Sequence, residues 1–196
     1  MALIPKILIF AGSIRTGAYS GKTADVAYRT LALQGADVTR ISLGDYPLPI
    51  FDQDLEKEKG IPENALLLSQ QIAAHDGVLI ATPEYNGSTS PLLLNALAWL
   101  SRVRHDGKWS ALQGKPAGLC SSSSGDMAGI RAINHLRAIL VRCRMEVVMA
   151  ECSVPDGGSA FDADGDFVHE RLDKAMQALC HDLMSAARHL SVRIEP

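Results

Sequence analysis

The chain has 196 residues, enough for one domain with a sizeable core and too few for two enzymatic domains. Hydrophobic residues at 47%, charged residues at 21% and 9 prolines exclude a disordered chain, a collagen and a disulfide scaffold. Against 22 acidic residues the 19 Lys and Arg give a net charge of −3, which provides no basic field for a phosphate backbone, so no nucleic-acid partner is expected.

Short continuous apolar runs alternate with longer helical patterns, the signature of a parallel sheet wrapped by helices. The runs fall at 6–11, 37–42, 77–81, 116–120 and 145–150, and the helical patterns at 20–34, 62–75, 91–104, 125–141 and 166–190. Residues 155–165, rich in Asp and Gly, read as a surface loop. The first run follows the single Lys6 and is too short for a signal-peptide core. No stretch approaches the roughly 20 apolar residues of a membrane span, so a cytoplasmic protein without a membrane partner is expected. No linker divides residues 1–196. The predicted fold is α/β: a flavodoxin-like, doubly wound, five-stranded parallel sheet of order 2-1-3-4-5, with helices on both faces.

Such sheets bind ligands at the carboxyl ends of their strands, at the switch point between strands 1 and 3. After the first strand, Gly12-Ser13-Ile14-Arg15-Thr16-Gly17-Ala18-Tyr19-Ser20-Gly21-Lys22-Thr23 sets glycines, hydroxyls and cations at the opening of a helix. Helix-terminal N–H groups lack intrahelical partners and carry the positive end of the dipole, so the stretch suits a phosphate. Its second half is one residue short of the triphosphate loop G-x-x-x-x-G-K-[ST], and no later strand ends in an Asp for magnesium. After the third strand, Thr82-Pro83-Glu84-Tyr85-Asn86-Gly87-Ser88 predicts a tight loop with Tyr85 at its apex, placed to pack on a planar ligand. Asn86 and the turn amides are suited to the edge of a heterocycle. After the fourth strand, Ser121-Ser122-Ser123-Ser124-Gly125 offers hydroxyls, one of them expected to cap the next helix.

These loops resemble those of the NADPH-dependent FMN reductase family, the flavodoxin-like quinone, chromate and azo reductases, at G-S-I-R-T-G and P-E-Y-N-G-S. The likeness continues in residues 47–54, in Asn95, in Trp99-Leu100-Ser101-Arg102 and in Gly114-Lys115-Pro116. It implies an FMN-dependent oxidoreductase that takes hydride from NADPH or NADH and reduces a small-molecule electron acceptor: a quinone, free flavin, azo compound or metal oxyanion. It places Ser13, Arg15 and Ser20 at the FMN phosphate, Pro83, Glu84, Tyr85 and Asn86 along the isoalloxazine ring, and Ser122 against the ring. Ala18 and Ser20 stand where relatives often carry Ser and Asn, which implies loosely held FMN. Relatives form dimers or tetramers, so a homodimer or homotetramer is implied, with Leu92, Leu93, Leu94 and Leu97 as one face that could pack against a second copy.

The flavin carries the reaction, so no catalytic acid or base is named, and Glu84 is read as a solvated or turn-bonding carboxylate. His75, His105, His135, His169, His181 and His189 show no metal-binding pairing, and no metal is expected. Cys120, Cys143, Cys152 and Cys180 read as reduced, mostly buried thiols. Arg131, Arg137, Arg142 and Arg144 are expected to pair with acids such as Asp126 and Glu146. A flavodoxin-type electron carrier and a flavin-free binding or regulatory protein of the same fold stay open, although −3 is a mild charge for a carrier.

Overall fold

The structure is a computed structural model that describes residues 4–104 and 110–192; His105 lies outside the described residues. Five strands, β1 (Lys6–Ala11), β2 (Asp37–Arg40), β3 (Gly77–Pro83), β4 (Pro116–Ser122) and β5 (Glu146–Val154), form one parallel sheet. Their order, β2-β1-β3-β4-β5, is the one predicted. Helices α1 (Tyr19–Leu33), α2 (Gln53–Lys59), α3 (Glu63–Ala73), α4 (Pro91–Leu100), α5 (Ile130–Arg142) and α6 (Glu170–Val192) join them, with a 3-10 turn at Leu43–Asp45.

Because side chains alternate across a strand, each apolar run feeds two cores. Ile7, Ile9 and Ala11 of β1 and Leu79 and Ala81 of β3 face α1 and α6, where they meet Ala27, Leu31, Leu179 and Leu183. Leu8 and Phe10 of β1 and Val78 and Ile80 of β3 face the other way, onto Leu68, Leu93, Leu97 and Leu136 of α3, α4 and α5. The leucine stripe of α4 therefore belongs mainly to this second core: Leu93 and Leu97 are buried, and Leu94 alone of the four is exposed. Close packing of α6 depends on two strand glycines. A Cβ on Gly118 would stand 3.1 Å from Leu179 and 3.2 Å from Leu183, and one on Gly77 3.3 Å from Leu183.

Helix α2 was not predicted, for a physical reason: it buries no residue, so it leaves no apolar period to read. It is set by its ends. The Asp52 side chain accepts from the Asp54 amide at 2.8 Å, acids occupy the first turn and Lys57 and Lys59 the last, which complements the helix dipole. Helix α5 begins at Ile130 rather than near residue 125, and no side chain caps it; Gly129 starts it in the left-handed conformation (φ +78°). A Cβ there would stand 2.8 Å from that of Ser121. On the edge strand, β5 bulges between the partners of Ala117 and Leu119. Arg137 spans the bulge, donating to the Val148 carbonyl at 2.7 Å and to Glu151 at 2.8 Å.

Cys120, Cys152 and Cys180 lie in the α1/α6 core and Cys143 is half-buried; all four are free thiols. Burial pushes the Cys152 thiol up to about 12 and raises Cys120 and Cys180 as well, so these three carry no thiolate near neutrality. Titration of the native protein with Ellman's reagent at about pH 8 is expected to modify Cys143 first and the other three only on unfolding. Leu183→Ala, which empties the seat against Gly77 and Gly118, is expected to cost about 2–5 kcal/mol in urea denaturation.

Candidate functional site

The site begins where β1 ends. The Gly12 amide donates to Ala81 at 2.8 Å, and its carbonyl accepts from the Ser90 hydroxyl at 2.5 Å, which draws the loop after β1 against the segment after β3. A Cβ at Gly12 would lie 3.0 Å from both Pro83 Cδ and Ser90 Oγ, so the approach suits glycine. Beyond it the chain turns, with the Ala18 amide donating to the Arg15 carbonyl at 3.0 Å and Gly17 at φ +69°. Helix α1 then starts without a side-chain cap and without an acid in its first turn. Its N-terminal amides are thus left to a ligand or solvent, with the dipole unopposed. The Arg15 guanidinium donates to the Thr16 and Gly17 carbonyls and lies 5.9 Å over the Tyr19 ring; among the described residues it makes no ion pair. The Lys22 ammonium sits over Phe161 at 5.5 Å, away from this loop, unlike the phosphate-bound lysine of a triphosphate site.

The turn after β3 is a type I′ hairpin. Asn86 (φ +52°) and Gly87 (φ +74°) occupy its two left-handed positions, and Tyr85 and Ser88 exchange backbone hydrogen bonds of 2.8 and 3.0 Å. Tyr85 stands at the rim, 45% exposed. Glu84 is not solvated as expected: its side chain is 7% exposed, and Oε1 accepts from Arg131 Nε at 2.8 Å and from Arg131 Nη2. Arg131 therefore pairs across 47 residues with Glu84 rather than with Asp126 or Glu146, and Arg137 pairs with Glu151. One turn further along α5, His135 Nδ1 meets Ser88 Oγ at 3.2 Å.

The third wall is the serine loop after β4. Ser121 is taken up structurally by the Ala128 carbonyl at 2.7 Å. The Ser123 carbonyl accepts from the Gly157 amide at 2.9 Å, which brings the segment after β5 against Tyr19. A Cβ on Gly157 would stand 2.5 Å from the Tyr19 ring.

These walls enclose a cleft of about 160 Å³ lined by Ser13, Arg15, Ala18, Tyr19, Ser20, Pro83, Glu84, Tyr85, Ser122, Ser123 and Ser124. Seven of the eight residues named from the sequence are brought together here. Asn86 is not among the lining residues; it sets the turn. Gly157 was not foreseen at the site; Tyr19 stood there only as part of the stretch expected to suit a phosphate, and Arg131 was expected to pair with an acid. Larger cavities exist, such as the groove of about 440 Å³ between β5 and α6 beside Met149 and His189, yet the chemistry converges on the smaller cleft. Among the described residues, the buried side-chain oxygens left without a partner are Ser20 Oγ, Glu84 Oε2 and Ser122 Oγ, and all three belong to lining residues. A buried polar atom without a partner costs about 1–3 kcal/mol, so three in one cleft mark the place of a polar ligand. No group of three or more metal-ligating side chains occurs among the described residues.

The fold and cleft define a doubly wound α/β protein that presents an uncapped helix terminus beside a tight turn at its switch point. The profile of the family described as NADPH-dependent FMN reductase matches residues 5–158, and the chain belongs to that family of FMN-dependent, NAD(P)H-driven oxidoreductases. The quinone reductase of Escherichia coli K12 is 37% identical over 137 residues, 69% of each chain. The 2-hydroxy-1,4-benzoquinone reductase of a Burkholderia species is 33% identical over 175 residues, covering 88% of this chain and 90% of its own. Among solved structures, the flavoenzyme NAD(P)H:(acceptor) oxidoreductase FerB of Paracoccus denitrificans superposes with a TM-score of 0.80 at 25% identity, over 95% of this chain and 98% of its own.

Asn95 and Trp99 have a structural role. Asn95 accepts from the Phe51 amide at 2.8 Å and donates to the Pro49 carbonyl at 2.9 Å, and Trp99 Nε1 donates to that carbonyl at 2.8 Å. Both tie the segment before α2 to α4. Replacing Gly157 with Ala is expected to push the Tyr19 ring aside and to cost about 1–3 kcal/mol in urea denaturation. Gly158→Ala, whose Cβ would meet only the Tyr19 hydroxyl at 3.4 Å, is expected to stay within about 0.5 kcal/mol of the parent.

Proposed function

We propose that residues 1–196 act as one FMN-binding domain that spends NAD(P)H on reducing quinone-type small molecules, working in the cytoplasm as a homodimer or homotetramer. The observation that carries the reading is the convergence of Ser20 Oγ, Glu84 Oε2 and Ser122 Oγ, buried and unpartnered, on the cleft at the carboxyl ends of β1, β3 and β4. The residues fit FMN. The hydroxyls of Ser13 and Ser20, the uncapped start of α1 and the Arg15 guanidinium make a phosphate site. Pro83, Tyr85 and the buried carboxylate of Glu84 suit the ring, and Asn86 shapes the turn beneath it. Ser122 supplies a hydroxyl from the β4 side.

When bound, FMN supplies the redox chemistry, accepting hydride from the reduced nicotinamide and passing two electrons to the acceptor. The protein binds and orients. Glu84, the one carboxylate among the described residues that line the cleft, is engaged by Arg131, which leaves the side chains here to hold the ring rather than to move protons. Tyr85 at the open rim bounds the approach of nicotinamide and acceptor. Quinones are preferred because the Escherichia coli and Burkholderia relatives are named for quinone reduction. That among the described residues no helix is long and apolar enough to cross a membrane is compatible with a cytoplasmic place.

The test is a fluorescence-quenching titration with FMN, followed by NADPH and NADH oxidation in the presence of a benzoquinone. The protein is expected to bind FMN and to outpace free FMN; a rate no higher than free flavin gives would sink the reading. Arg15→Ala is expected to weaken FMN binding by about tenfold or more and Ser20→Ala by up to about tenfold, as a charged and a neutral hydrogen bond should. Light scattering of the flavin-loaded protein is expected to report two or four copies.

A further inference from the structure

Of the four arginines on and just after α5, Arg131 holds Glu84 and Arg137 holds Glu151. The other two, Arg142 and Arg144, stand at the far end of the helix. There, with Arg104 from the segment after α4, they line a cavity of about 440 Å³ at the amino ends of β4 and β5, the edge of the sheet opposite the flavin cleft. Ser101, Ser110 and Cys143 complete the lining, and no carboxylate is among the described residues that form it. In a chain of net charge −3, three guanidiniums around one acid-free cavity focus a positive field.

Arginines at the carboxyl end of a helix commonly serve its last carbonyls. Here other donors have taken those carbonyls. At the end of α5 the amides of Cys143, Arg144 and Met145 donate to Ile139, Val141 and Leu140 at 2.9, 2.9 and 3.0 Å. At the end of α4 the amides of Ser101, Arg102 and Val103 donate to Leu97, Trp99 and Leu100 at 3.0, 3.0 and 3.3 Å, and the Ser101 hydroxyl donates to Ala98 at 2.7 Å. Arg144 closes α5 in the left-handed conformation (φ +67°), where glycine is the usual residue, so an arginine carries backbone strain there. The Gly114 amide, donating to the Arg144 carbonyl at 2.8 Å, pins that residue in place. Among the described residues Arg142 enters no ion pair, and its charge is felt inside the cavity: burial raises the Cys143 thiol while Arg142 draws it down.

We propose that this cavity is a second anion site, separate from the flavin cleft, that takes a small phosphorylated molecule. A terminal phosphate spreads a charge of about −1.5 to −2 over three oxygens set tetrahedrally, which suits guanidiniums converging from three chain segments better than a planar carboxylate with two oxygens does. The cavity is larger than a lone phosphate needs, so the ligand has a further part.

The experiment follows alkylation of Cys143 by uncharged iodoacetamide in the full-length, FMN-loaded protein at about pH 8.5, read by mass spectrometry. Pyrophosphate is the probe, and sodium chloride at matched ionic strength is the control. Cys143 lines this cavity and not the flavin cleft, so its labelling reports this site alone. Pyrophosphate at about ten times its Kd is expected to slow labelling about tenfold, because only the empty fraction reacts. Arg142→Gln and Arg144→Gly are each expected to raise that Kd about tenfold, as loss of a charged hydrogen bond should. Glycine at 144 also relieves the positive φ, so Arg144→Gly should melt no earlier than the parent and report the side chain alone. Labelling that pyrophosphate slows no more than sodium chloride does overturns the proposal, as does protection that survives in the Arg142→Gln, Arg144→Gly double variant. Citrate that protects at the same concentration as pyrophosphate overturns the assignment to phosphorylated ligands.

Discussion

The backbone of Gly12 is the point on which the site depends. Its amide joins β1 to β3 and its carbonyl takes the hydroxyl of Ser90, so the loop that opens α1 and the turn that follows β3 are held against each other. A parallel sheet makes this junction possible, because adjacent strands end at the same edge and deliver their loops side by side. A side chain at position 12 would drive Pro83 and Ser90 away and separate the two loops that wall the cleft.

The same edge explains why polar atoms are left over inside a well-packed molecule. Two apolar layers bury the sheet on both faces, and their close fit against Gly77 and Gly118 leaves the strands little play. At the carboxyl ends the hydroxyls of Ser20 and Ser122 and one oxygen of Glu84 are buried with no protein partner. Leaving such groups unmet is costly, and a stable fold tolerates it where a ligand completes them. The uncapped start of α1 follows the same logic, since a capping side chain at Ala18 would compete with an anion for the N-terminal amides.

Much of the fold was legible because burial writes itself into sequence. The central strands β1, β3 and β4 are largely apolar and buried along their length, and α5 carries an apolar stripe. Helix α2 escaped because it buries nothing, and the start of α5 was misplaced because a left-handed glycine, rather than a serine cap, begins it. At the site, the loops after β1 and β3 announced themselves through glycines, hydroxyls and the Asn86-Gly87 pair, whose positive φ values the type I′ turn requires. Asn86 serves that turn and does not line the cleft.

The sequence by itself determined the order of the five strands and the core helices, the place of the cleft at the switch point, and the hydroxyls and Arg15 that line it. These follow from local periodicity and from the topology that parallel crossovers allow. Only the tertiary structure decided that Arg131 on α5 reaches Glu84, that Gly157 makes room for Tyr19, and that Asn95 and Trp99 serve to tie down Pro49. Those pairings join residues far apart in the chain, where charge and size name many possible partners and packing selects one.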